Sequence, residues 1–133
     1  MNTTMFSRMM LGALVLLCSC TTSQHSWIFS SEYESISSRL QAKAQNTTNE
    51  LAPRRVGDSW QAEGEYEFDS GLNSTLEVVR SCVPPEYGHI GEAMEELNYA
   101  RPEHGDTFYL TIRLTPDGVS KTKVRLLLKS LPS

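Results

Sequence analysis

The sequence predicts a small single domain of the α+β class, with elements in the order helix, hairpin, helix, hairpin and both helices against one face of an antiparallel sheet. Three observations predict it. Trp60, Ala62, Gly64, Tyr66 and Phe68 alternate with polar residues at the two-residue period of a half-buried strand. Phe108, Leu110, Ile112 and Leu114, then Val124, Leu126 and Leu128, repeat that period on either side of the turn sequence Pro116-Asp117-Gly118. Apolar residues also recur at helical intervals in two stretches, Tyr33 to Ala44 and Tyr87 to Leu97.

Taken in order, residues 20–30 form a tether that ends in Trp27-Ile28-Phe29, an apolar trio that either docks on the domain or lies in lipid headgroups, where Trp is favoured. Ser31-Glu32-Tyr33-Glu34 has capping-box spacing, and Tyr33, Ile36, Leu40 and Ala44 follow, so a first helix is expected from about Ser31 to Gln45. Asn46 to Arg55, with Pro53 inside it, is expected to be a surface connection. The strand from Ser59 presents Glu63, Glu65, Glu67 and Asp69 on its outer face. Asp69-Ser70-Gly71-Leu72-Asn73 supplies turn chemistry, and Thr75 to Val83 is rich in branched residues, so a hairpin partner strand is expected there, with a helix over Leu72 to Arg80 as the competitor.

Pro84-Pro85 opens the expected second helix, with Tyr87, Ile90, Ala93, Met94 and Leu97 as its apolar face and Glu86, Glu92, Glu95 and Glu96 behind it. Arg101-Pro102-Glu103-His104-Gly105 ends that helix, and the closing hairpin completes the domain, residues 31–133. Four carboxylates at alternate strand positions repel one another. Arg113, Lys121, Lys123, Arg125 and Lys129 supply the complement if the last hairpin adjoins that strand.

Ahead of the domain, Arg8 precedes nine apolar or small residues, Met9 to Leu17, and then Cys18-Ser19-Cys20. This is the pattern of a secretion leader, and the run is about half of the roughly 20 residues a bilayer-spanning helix needs. Leu17-Cys18-Ser19-Cys20 resembles the lipobox of bacterial lipoprotein precursors. That resemblance implies cleavage of residues 1–19, diacylglycerol on Cys20, and a membrane partner engaged through two or three acyl chains. Thr21 stands where inner-membrane lipoproteins of Gram-negative bacteria often carry Asp, so in such a host the resemblance implies the outer membrane with the domain facing the periplasm. In any other host it implies a lipid anchor on the cell membrane.

Loss of residues 1–19 leaves 114 of the 133 residues, one small domain. Arg8 leaves with the leader, so 11 basic residues face 16 acidic ones and the mature charge is −5. Nucleic acid is not an expected partner. With Cys18 cleaved away and Cys20 acylated, Cys82 is left single in an oxidising compartment and is expected to be buried.

Candidate chemistry is thin. His89 and Glu92, three apart on the expected second helix with Glu96 a turn further, offer two ligands and a third candidate, which falls short of a metal site. Cys82 with His89 or His104 could be arranged as nucleophile and base, but no motif surrounds the cysteine. The carboxylates along one strand lack the apolar setting that raises a catalytic pKa. Glycine-rich phosphate loops, Gly-x-Ser-x-Gly and Cys-x-x-Cys are absent from the sequence. The expectation is therefore a protein that is not an enzyme and carries no cofactor or metal.

The order of tether, helix, hairpin, helix and hairpin behind a lipid anchor is similar to one class of pilotin lipoproteins of type II secretion systems, which bind a short segment of the secretin and carry it to the outer membrane. Cys82 departs from that class, whose resemblance leads one to expect a paired cysteine. The resemblance implies a protein-binding adaptor or assembly factor with an envelope protein such as a secretin as partner, and Ile90, Met94 and Leu97 as the contact face. The alternatives are an envelope ligand-binding protein or enzyme with its site near Cys82, and a purely structural lipoprotein.

Overall fold

The computed structural model describes residues 26–132 apart from Met94 and His104. The leader, the lipobox with Cys20, Met94 and His104 therefore lie outside the described residues. Helix α1 is described over residues 26–43. It is followed by strands β1 (Asn46–Val56) and β2 (Ser59–Phe68), helix α2 (Leu72–Cys82), and strands β3 (Gly88–Ala93), β4 (Glu96–Glu103), β5 (Asp106–Pro116) and β6 (Thr122–Pro132). The six strands form one antiparallel sheet in the order β1-β2-β6-β5-β4-β3.

The α+β class and the single antiparallel sheet stand, while three stretches differ from expectation. Residues 46–56 are an edge strand paired with β2, where a connection was expected. Its residues are almost all exposed, so it has no buried face to write an alternation into the sequence. Residues 72–82 take the competing helical form: Thr75, Val79 and Cys82, spaced four and three apart, turn inward together. Branched residues favour strands only weakly, and packing overrides them here.

Residues 84–97 are not a helix. Tyr87 ends a turn whose amide bonds to the Pro84 carbonyl at 3.1 Å, and β3 and β4 pair across a reversal where Glu95 takes φ 69°. Gly88 and Gly91 disfavour a helix in this stretch. A register shift at Ile90 then lets apolar residues fall by accident at helical spacing. The resulting order is helix, hairpin, helix and a four-strand meander.

The core is one cluster beneath both helices. Phe29, Tyr33, Ile36 and Leu40 of α1 pack with Val79 and Cys82 of α2 onto Ala62, Tyr66, Leu97, Leu110, Ile112, Val124, Leu126 and Leu128 of the sheet. Each fully buried aliphatic side chain contributes about 1.5–3 kcal/mol. The first helix begins before Ser31 because Phe29 belongs to this cluster; of the apolar trio Phe29 docks, while Trp27 and Ile28 stay exposed. The outward face of the sheet has no helix on it among the described residues. There the expected charge complement holds: Glu65 and Glu67 of β2 lie opposite Arg125 and Lys123 of β6, and Arg125 reaches Glu63 at 3.3 Å.

Candidate partner-binding surfaces

The two edges of the sheet differ. β3 has six residues, a register shift beside Ile90, and a side-chain clasp in which Arg80 of α2 pairs with Glu92. These features blunt an edge against added strands. β1 is longer, eleven residues, and only Pro53 along it is less than exposed. Register shifts between Thr47 and Asn49 and between Leu51 and Arg54 isolate a regular stretch, Asn49-Glu50-Leu51, paired with Glu65-Gly64-Glu63. Pro53 and the shifts thus confine the free edge to a short segment of defined register.

A groove of about 560 Å³ runs between that segment and α1. Its walls are the polar face of the helix, from Ser31 to Gln41, and Glu50 of β1. The groove is polar because α1 spends its apolar residues on the core and turns serines and Gln41 outward.

Behind the groove, Ser37 bonds the Tyr66 hydroxyl at 2.6 Å in a buried contact. The Tyr33 hydroxyl is buried beside them without a hydrogen-bond partner among the described residues. Burial pushes both phenols above their ordinary value, Tyr33 strongly. Gly64 makes this packing possible: a Cβ there would stand 2.5 Å from the Tyr66 oxygen and 2.7 Å from that of Tyr33. No sequence signal singled out these groups beyond the inward parity of Gly64 and Tyr66.

A second polar cluster ties α1 to the sheet. Arg101 of β4 pairs with Glu32 at 2.9 Å and with Glu103 at 2.6 Å, and its guanidinium lies over the rings of Tyr87 and Phe108. The Tyr87 hydroxyl donates to Glu32 at 2.8 Å. The carboxylates and the terminal guanidinium nitrogens here face other groups of the same chain and brace the helix, while the buried Arg101 Nε has no hydrogen-bond partner among the described residues.

The candidate residues read from the sequence do not converge. Ile90 is exposed on β3 and Leu97 is fully buried on β4, so these two do not share a helical face, and Met94, the third expected contact residue, lies outside the described residues. His89 stands 3.7 Å from Glu92 and meets the Tyr99 ring edge-on, while Glu96 bonds Arg113. Among the described residues no three metal-binding side chains gather. Cys82 is buried, as expected, and its thiol donates to the Arg39 carbonyl at 3.6 Å. Burial pushes that thiol up, away from the reactive thiolate.

No described helix is long and apolar enough to cross a membrane. Comparison of the chain with known protein families, with curated proteins and with solved structures finds no match.

Proposed function

We propose that this protein is a lipid-anchored envelope adaptor, held to the membrane through Cys20, that receives an extended segment of a partner protein along β1. The observation that carries this reading is the Asn49-Glu50-Leu51 edge. It is exposed on both faces, bounded by register shifts, and flanked by the polar groove of α1. Strand addition draws its affinity from main-chain hydrogen bonds and its selectivity from neighbouring side-chain contacts. A short edge admits one strand in one register, which suits an assembly factor and guards against open-ended pairing.

The pilotin resemblance rested on an element order that differs from the one observed, so a secretin is one partner among envelope assembly proteins. The test uses the full mature lipoprotein in native envelopes, with a photoactivatable residue replacing Leu51 or, as control, Thr115 at the far end of β5. Crosslinks from Leu51 to one envelope protein, absent from the Thr115 control and competed by a peptide of the captured segment, support the reading. Equal labelling from both positions, or none from Leu51, overturns it.

A further inference from the structure

Eight large apolar side chains are exposed among the described residues, and four of them, Trp27, Ile28, Val56 and Leu131, gather at one end of the domain. The placement follows from the register. Trp60 lies opposite Arg55 and Ser130, and Phe108 lies opposite Arg101 and Ser130. The Phe29 ring sits 6.2 Å from that of Trp60 and 6.3 Å from that of Phe108. The start of α1 therefore covers the sheet end from which the β1–β2 turn and the C-terminal stretch emerge. Trp27 and Ile28 precede Phe29, Val56 pairs with Ser59 beside Trp60, and Leu131 pairs with Thr107 beside Phe108.

Arg54 and Arg55 stand exposed at the same end. Asp58 lies in the adjoining turn and Asp106 opens β5 opposite Pro132, while Glu32 and Glu103 nearby are engaged by Arg101. Two arginines beside a tryptophan and aliphatic side chains match the chemistry of a phospholipid surface, with phosphate groups above an apolar layer. Chain length decides the occupant. Five residues separate Cys20 from Ser26, and even fully extended the connection spans only about 20 Å. The eleven-residue strands of the domain are roughly 35 Å long, so a lipid on Cys20 cannot present the opposite end to the bilayer while leaving this end remote from it.

We infer that this end docks on the bilayer that holds the anchor, with Trp27 and Ile28 in the headgroup layer and Arg54 and Arg55 on lipid phosphates. The docking rests on the lipid-anchor reading. It turns the α1–β1 groove sideways to the membrane and leaves the β5–β6 turn at Val119 facing away.

The test reconstitutes the acylated full-length mature protein in vesicles of phosphatidylethanolamine and phosphatidylglycerol containing brominated acyl chains, and reads tryptophan quenching. Strong quenching in the native chain, reduced in Trp27→Phe to the level set by Trp60, is the expected result. Adding Val119→Trp to the Trp27→Phe chain should restore emission that the bromolipid does not quench. Arg54→Glu with Arg55→Glu should reduce quenching of Trp27 while the protein stays on the vesicles. An acylated, vesicle-bound protein whose Trp27 is not quenched, or whose substituted position 119 is quenched equally, overturns the docking and leaves the anchor standing. A chain without acyl mass on Cys20 overturns both.

Discussion

Arg101 of β4 and Glu32 of α1 are joined at 2.9 Å across the helix–sheet boundary, each with only about a fifth of its side chain open to solvent. The pair is braced by Glu103, by the Tyr87 hydroxyl and by two aromatic rings. It holds the beginning of α1 onto the strand whose partner, β5, carries Phe108. The position of Trp27 and Ile28 at the end of the domain depends on it.

Arg101→Ala is expected to destabilise the domain by about 3 kcal/mol, because it leaves two carboxylates sparingly hydrated and removes the guanidinium from both rings. Glu32→Gln combined with Arg101→Met, which removes both charges and keeps an apolar stem, should recover part of that loss. Urea unfolding checks both. A single-variant loss within about 0.5 kcal/mol, the range of ordinary surface changes, would show that the pair does not brace the helix.

At Gly64 the Cβ of an alanine would meet the Tyr66 and Tyr33 oxygens at 2.5 and 2.7 Å, so Gly64→Ala is expected to cost about 1–3 kcal/mol. Tyr33→Phe removes a buried hydroxyl that has no partner among the described residues and should be neutral or stabilising. Tyr66→Phe breaks the bond to Ser37 and should cost about 1 kcal/mol. Thermal melts of the three single variants and of Gly64→Ala with Tyr33→Phe give the comparison. Strictly additive effects in that double variant would mean the two side chains do not compete for the same space.

Ile90 and Leu97 separate the hairpin from the helix that the sequence suggests. Ile90 is 61% exposed and Leu97 fully buried. Ile90→Ser is expected to shift stability by less than about 0.5 kcal/mol, and Leu97→Ala to cost about 2–5 kcal/mol. Ile112→Asp, which places an unpaired charge at a fully buried position of β5, should prevent folding altogether. Equal sensitivity at Ile90 and Leu97 would argue for a shared apolar face in place of β3 and β4.

Alkaline pH should unfold the domain cooperatively. Burial raises the phenols of Tyr33, Tyr66, Tyr87 and Tyr99 and the thiol of Cys82. Each is an acid whose proton the folded state holds more tightly, so the folded chain carries more protons in the alkaline range. The stabilisation is complete below the ordinary values, 9.0 for the thiol and 10.0 for the phenols, and is lost as pH rises through the folded-state values. Tyrosinate absorbance and circular dichroism should therefore change together above those values, and Cys82 should resist alkylation at neutral pH until denaturant is added. In a Tyr109→Phe background, which removes the one exposed tyrosine, smooth tyrosinate formation with native circular dichroism would show the four buried phenols to be open to solvent.

The sequence by itself determined the elements that bury one face. Ala62 to Phe68, Phe108 to Leu114 and Val124 to Leu128 point inward at the two-residue period, and Tyr33, Ile36 and Leu40 do so at the helical period. Burial is what writes periodicity into a chain. The complementary charges of β2 and β6 were legible for the same reason, since a buried face fixes parity and parity fixes the outward face.

Only the tertiary structure decided the rest. β1 buries neither face, so its pairing left no pattern, and with it the candidate edge and groove were hidden. Residues 72–82 became a helix through distant contacts: the Ser70 carbonyl accepts from both Thr75 and Thr122, and Cys82 reaches the Arg39 carbonyl on α1. At 87–97 the shift beside Ile90 and the reversal at Glu95 scrambled strand parity into apparent helical spacing. The clustering of Trp27, Ile28, Val56 and Leu131 is likewise invisible in one dimension, because it joins the start of α1 to strand ends brought together only by the sheet.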